Sequence, residues 1–159
     1  MNISEVKMTD AEALLMFCRK LKTEGAEMTF AEADSIEAVE LWIEDDHEHL
    51  FILRQANQIV ALIKARQGRG SKTHSAFLSA AVLEARRGEG LVKTLSHEVY
   101  PVLKERGIQI ARAYIYSNNH ASISAVLKEG FHCSGTVLMH HFNEDNNMWV
   151  DDIIFHKFL

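Results

Sequence analysis

Residues 76–83 form an almost unbroken apolar run, and soon after it the chain crosses Gly88 and Gly90 into an apolar stripe, Leu91, Leu95, Val99 and Val102, at helical spacing. A buried strand that feeds an amphipathic helix through two glycines admits few folds. The first N–H groups of such a helix lack partners, and the helix dipole adds roughly half a positive charge there. Together they attract phosphate, and glycines let the backbone come close to the anion. Arg87 adds a charged donor fork. The segment is therefore predicted to cradle a phosphorylated ligand.

Two lookalikes are excluded by their own residues. A dinucleotide fingerprint needs a third glycine where Lys93 stands. The stretch Gly68-Arg69-Gly70-Ser71-Lys72-Thr73 has Ser71 where a nucleotide P-loop needs glycine, and Arg66 in place of its first glycine. It reads as a surface loop.

The remaining elements follow from periodicity and punctuation. Residues 2–6 suit a first strand. Asp10 opens a helix with Ala11, Leu14, Leu15, Cys18 and Leu21 on one face. Asp34 and Glu37 form a capping-box pattern before a second helix that turns Ile36, Val39, Trp42 and Ile43 inward. Runs 50–53 and 59–63 make a hairpin about Asn57. Pro101 deletes a backbone donor, so a kink or an early helix end is expected there. Residues 108–116 form another strand, and Asn118 and Asn119 cap a helix carrying Ile123, Val126 and Leu127 that stops at Gly130. Residues 131–141 and 148–158 close the sheet around a turn at 143–147. The predicted order is β-α-α-β-β-β-α-β-α-β-β, without repeats or a linker, as a single domain over 1–159.

At 47% apolar and 25% charged residues, the chain has a real core and does not fit a disordered class. No apolar run reaches the ~20 residues of a membrane span. Residues 1–5 lack the basic and apolar segments of a secretion signal, so a cytoplasmic protein is expected. The net charge of −5 suits a cationic partner better than nucleic acid. Cys18 and Cys133 are read as buried, reduced thiols.

Arg87-Gly88-Glu89-Gly90-Leu91-Val92, preceded by Val82, resembles the Gln/Arg-x-x-Gly-x-Gly/Ala signature of the GCN5-related N-acetyltransferases, with Val92 departing from its last position. Asn119-His120-Ala121-Ser122, followed by Val126-Leu127-Lys128-Glu129-Gly130-Phe131, is similar to the family's Asn-x-x-Ala/Ser and Gly-Phe helix. The Ser form is closest in pattern to acetyltransferases of ribosomal-protein N-termini and to phosphinothricin acetyltransferases. The second group also shares a Trp-x-Asp like Trp149-Val150-Asp151. Residues 50–159 carry the resemblance; residues 1–48 match only in helix order.

The resemblance implies an α+β fold: a mixed, mostly antiparallel sheet of about six or seven strands, flanked by about four helices and splayed between strands four and five. It implies acetyl transfer from acetyl-CoA to a primary amine by direct attack in a ternary complex. The pyrophosphate would lie on residues 87–92, while backbone groups at Val82 and Leu83 polarise the thioester carbonyl. Ser122 would donate to the CoA sulfur or, alternatively, help cap its helix. Asn119 would reach the pantetheine arm, cap its helix, or both, and Lys128 either reaches the adenine-side phosphates or stays solvated.

The family's usual Tyr is replaced by Val126, and its strand-four Glu has no counterpart in Phe77-Leu78-Ser79-Ala80-Ala81. These gaps leave a non-catalytic acyl-CoA-binding or regulatory module on the same fold as the alternative. The general base stays open among His74, His140, His141, Glu144, Asp151 and an ordered water. Tyr114 and Tyr116, on one face of a strand, read as packing residues. No metal is expected, because the neighbours in His132-Cys133 and His140-His141 should point to opposite faces of a strand. The acceptor is an amine on a small molecule or a protein N-terminus, recognised by residues 20–48 and the loop 142–148. Neither nucleic acid nor membrane is expected as a partner, and no residue pattern decides for or against a homodimer.

Overall fold

The structure, a computed structural model, describes residues 1–25 and 33–159. Its main elements are β1 (Asn2–Glu5), α1 (Ala11–Thr23), α2 (Ile36–Glu44), β2 (Glu48–Gln55), β3 (Gln58–Gln67), β4 (Ser75–Val82), α3 (Leu91–Glu105), β5 (Ile110–Tyr116), α4 (His120–Lys128), β6 (His132–Asn143) and β7 (Met148–Phe158). This is the predicted order. The strands form one seven-stranded sheet, β1-β2-β3-β4-β5-β7-β6. All neighbours run antiparallel except β4 and β5, which are parallel. Among the described residues no helix is long and apolar enough to cross a membrane.

Local chemistry accounts for most boundaries. Ala56 and Asn57 hold φ of +45° and +66°, the left-handed pair that a two-residue hairpin turn between β2 and β3 requires. Helix α2 is capped by Ser35, whose Oγ accepts from the Ala38 N–H at 3.2 Å. The cap thus falls one residue after Asp34, whose carbonyl instead accepts from Arg19 at 2.9 Å. Helix α3 continues through Pro101 to Glu105, so the expected early end does not occur. The carbonyl that loses its partner belongs to His97, on the exposed face of α3, where it is open to solvent and not buried unpaired.

The sheet is covered from both sides. Lys64 on β3 puts its ammonium 3.9 Å from the Trp42 ring centroid of α2. His49, which faces the other way from β2, meets Arg106 at the end of α3 at 2.9 Å. The main core runs between these layers through Leu14, Leu21, Val39, Ile52, Leu62, Leu95 and Leu103. A second cluster of Ala111, Ala113, Ile115, Phe131 and Phe155 packs under Ile123 and Val126 of α4.

Lys64 and Glu48 form an ion pair at 3.5 Å with side chains only 8% and 6% exposed. Arg66 also binds Glu48, at 2.6 Å. Burial pulls the Lys64 pKa down, and Glu48 opposes that shift. Removing only the carboxylate charge strands a buried ammonium. Glu48→Gln is therefore expected to cost about 3 kcal/mol, read as a lower urea midpoint at unchanged slope. Lys64→Met should cost less, because it removes the charge instead of isolating it.

Candidate active site

The turn after β4 is built by successive backbone bonds. The Leu83 N–H closes the β3 ladder on the Val60 carbonyl at 3.1 Å, and a short 3-10 turn, Glu84–Arg86, follows. Gly88 and Gly90 then take φ of +82° and +73°, a region that side-chain-bearing residues seldom adopt. Gly90 is the N-cap of α3, and the first helical hydrogen bond runs from the Thr94 N–H to the Gly90 carbonyl at 3.0 Å. No backbone acceptor among the described residues takes the N–H groups of residues 88–93. Residues 87–90 are exposed, so these donors open to solvent at the positive end of a 15-residue helix.

Side chains brace this turn. Arg86 grips Glu89 through two contacts of 2.6 Å, and its guanidinium holds the Glu89 carboxyl below its usual range. The pair neutralises a carboxylate that would otherwise repel an anion. Arg87 is turned back over the strand end, with Nε 3.4 Å from the Val82 carbonyl and Nη2 3.7 Å from Glu24. The same Glu24 carboxylate accepts the Glu84 N–H at 2.9 Å, which ties the turn to the end of α1.

Below the turn the sheet opens. Strands β4 and β5 pair only at Ser75–Ile110, Ala76–Ala111 and Phe77–Arg112. Backbone groups alternate in direction along a strand. Since Leu83 points toward β3, the N–H groups of Leu78, Ala80 and Val82 point toward β5; the last pairing, Phe77–Arg112, uses that of Leu78, and beyond it β5 has parted from Ala80 and Val82. Leu83 differs from expectation here: it is buried, its N–H belongs to β3 and its carbonyl takes the Arg86 N–H at 2.8 Å. Its backbone is not among the donors of the opening.

Helix α4 starts where β5 ends. The Asn119 side-chain oxygen accepts the Ser122 N–H at 3.1 Å, so Asn119 is the N-cap, and the half-buried Ser122 hydroxyl is not used for capping. Lys128 is exposed in the last turn, where a cation suits the helix dipole. The end of α4 is tied to the middle of α3 and to β7. Ser96 donates to Glu129 at 2.9 Å, and Lys157 donates to the Glu129 carbonyl at 2.5 Å.

The sheet face turned away from α3 and α4 carries a row of rings at the same opening. Phe77 and Tyr114 stack at 4.9 Å, and both are exposed, so Tyr114 is not a core residue. The rings of His141 and His140 lie 4.5 Å and 5.9 Å from that of Tyr116. Both histidines reach one tyrosine because β6 bulges between Val137 and His141, breaking the alternation that predicted opposite faces. Met139 sits in the bulge at φ +50°, and its N–H donates to Asp151 at 2.8 Å.

Asp152 is a buried carboxylate beside this opening that the sequence reading did not single out. It pairs in register with Tyr116, is 9% exposed, and burial raises its pKa against the opposing charges of His140 and His141. Alternation along β7 was the available signal: Asp151 and Asp152 had to face opposite sides. Of the other candidate bases, His74 and Glu144 are exposed at the start of β4 and in the β6–β7 turn. Cys18 is buried, with its thiol pushed up to about 11, whereas Cys133 is exposed, contrary to expectation, because β6 is an edge strand.

Comparison with known proteins agrees with this geometry. The family model of the acetyltransferase (GNAT) domain matches residues 3–154. Ribosomal-protein-alanine N-acetyltransferase from Brucella melitensis superposes with a TM-score of 0.85 at 24% identity, over 100% of both chains. A GNAT-family acetyltransferase from Streptococcus pneumoniae reaches 0.88 at 17% identity, over 99% of each chain. Ribosomal-protein-S18-alanine N-acetyltransferase from Escherichia coli reaches 0.76 at 19% identity, over 99% of this chain and 92% of that one. At these identities the likeness is one of fold. No curated protein sequence matches the chain.

Proposed function

The chain belongs to the acetyltransferase (GNAT) family and is an acyltransferase; from this we propose that it moves the acetyl group of acetyl-CoA to a primary amine in the cytoplasm, by direct attack in a ternary complex. One observation carries the reading. Unpartnered N–H groups at the start of α3 open to solvent directly above the point where β4 and β5 part. A diphosphate needs the first feature and a slender pantetheine arm needs the second.

In this reading the backbone of residues 87–92, with Gly88, Glu89, Gly90, Leu91 and Val92 contributing N–H groups, grips the pyrophosphate. Arg87 swings from the Val82 carbonyl to phosphate. That exchange is inexpensive, because its present contacts are long and half-exposed. The N–H groups facing the opening, Val82 among them, hydrogen-bond the cofactor arm and stabilise negative charge on the thioester oxygen. Leu83 supports Val82 by packing. Asn119 holds the arm through the amide nitrogen left free by its capping oxygen, and Lys128 meets the adenine-side phosphates. Ser122 donates its hydroxyl to the departing sulfur. The acceptor is an amine of a small molecule or a protein N-terminus, recognised by residues 20–48 and 142–148; residues 26–32 of the first stretch lie outside the described residues.

The direct test is incubation with acetyl-CoA and a panel of primary amines, with free thiol release as readout. CoA binding without release on any amine would favour a non-catalytic binding module. Three substitutions probe the parts. Gly90→Val forces a branched side chain into a left-handed conformation at about 1–2 kcal/mol, and it should abolish CoA binding by calorimetry while the circular dichroism stays native. Arg87→Ala should weaken CoA binding more than binding of phosphate-free pantetheine; equal losses count against a phosphate contact. Ser122→Ala should lower turnover about tenfold, the worth of one hydrogen bond to developing charge, with CoA affinity unchanged. Full activity would show that Ser122 is structural.

A further inference from the structure

An acceptor amine with a pKa of ~10 arrives as an ammonium and must lose a proton before its nitrogen can attack. Among the described residues, four buried side-chain atoms lack hydrogen-bond partners: Nδ1 of His47 and Oε2 of Glu48, which lie at the start of β2, and Nδ1 of His141 and Oδ1 of Asp152, which lie at the opening. A buried acceptor without a donor is costly, and native chains retain few of them. Asp152 and His141 both lie beside Tyr116: Asp152 directly opposite it in register, and His141 with its ring centroid 4.5 Å away. The backbone around them departs from regular strand geometry. A bulge and a left-handed methionine bring His140 and His141 over the strand, and Asp151 pins that bulge through the Met139 N–H. A primary ammonium offers three N–H donors and a positive charge. It is complementary to two empty acceptors and an aromatic face.

Resting on the acetyl-transfer reading above, we propose that Asp152 is a catalytic residue: its carboxylate receives the ammonium of a primary-amine acceptor and removes its proton, with His141 as the second acceptor and Tyr116 as the aromatic wall. One N–H bond of the ammonium breaks, leaving its electron pair on nitrogen, and the proton goes to the carboxylate. From there it reaches solvent by way of the exposed His140. The nitrogen pair forms a bond to the acetyl carbonyl carbon, and the carbon–sulfur bond breaks with its pair on sulfur. A second nitrogen proton ends on that sulfur, and the third stays in the amide. One proton is released overall, as the conversion of ammonium and thioester to amide and thiol requires.

The titratable groups facing Asp152 among the described residues are Tyr116 on β5 and His140 and His141 on β6. Farther along its own face lies His156, whose pKa is lowered by burial and by Arg112. Asp151 points to the other face and is engaged by Met139. Burial keeps the Asp152 carboxyl above its usual range, which makes it a stronger base than an exposed aspartate and costs folded-state stability once it ionises.

The test uses the full chain and the best acceptor from a panel of n-butylamine, spermidine and an alanine-led peptide. Acetylation rates are followed from pH 6 to 10, beside CoA calorimetry and thermal melting. Asp152→Asn should lower kcat/KM at pH 7 by about 100-fold, the worth of a general base, with CoA affinity unchanged and the melting temperature equal or higher. The deficit should shrink as pH approaches the pKa of the amine, where solvent supplies the free base. Asp152→Glu should retain more activity than the Asn variant, and His141→Gln should raise KM for the amine more than it lowers kcat. An Asp152→Asn enzyme within about threefold of wild type with the same pH profile overturns the assignment while acetyl transfer stands. So does a variant that loses CoA affinity or melts early, since a structural carboxylate behaves that way. Wild-type protein that binds CoA but acetylates no amine removes the acetyl-transfer reading itself, and this assignment with it.

Discussion

The structure depends on one lapse in backbone pairing. Strand β4 keeps its full ladder with β3 but holds β5 for only three residue pairs. A strand whose outward N–H groups meet no neighbour leaves strong donors waiting beside an opening. The same strand ends in the turn that starts α3, where more donors stand free for a different reason: a helix cannot satisfy its own first turn. Main-chain geometry thus supplies two sets of N–H groups, one above the other, with little demand on side-chain identity. That is why ordinary catalytic side-chain patterns are absent from the stretch that most constrains the chemistry.

What holds the opening in shape is peripheral. Glu24 ties the turn to α1, Ser96 and Glu129 join α3 to α4, and Lys157 binds the Glu129 carbonyl from β7. These contacts span elements on both sides of the parting strands, so the gap is braced from without and not filled from within. The parting is also where the second core cluster begins, under α4 and separate from the main core.

Two buried charges make an instructive contrast. Lys64 is enclosed with its counter-charge and an aromatic face, and its role is to seat α2 on the sheet. Asp152 is enclosed without a donor for one oxygen, next to a bulged strand and a left-handed methionine. The first arrangement is closed by its counter-charge, although Glu48 Oε2 is also buried without a hydrogen-bond partner. The second has no ion pair among the described residues and lies in irregular backbone, and such costs collect where a chain binds or reacts.

Element order, the cap at Asn119 and the glycine turn were legible in the sequence because each is local: periodicity, capping and φ preference act over a few residues. Two local readings still slipped, and a third held only in one of its forms. The α2 cap moved from Asp34 to Ser35, Leu83 gave its N–H to β3, and of the kink or early end expected at Pro101 the early end did not occur, because the carbonyl it strands, that of His97, is on the exposed face. The exposure of Cys133 and Tyr114 and the meeting of His140, His141, Tyr116 and Asp152 were not legible, because they require strand order and register. By itself, then, the sequence determined a glycine turn with free N–H groups between a buried strand and a helix, since short-range backbone rules are sufficient for it. Only the tertiary structure decided what faces that turn across the opening: pairing between β5, β7 and a bulged β6 is set by contacts distant in sequence, and a single-residue slip in register would have turned Asp152 to the other face.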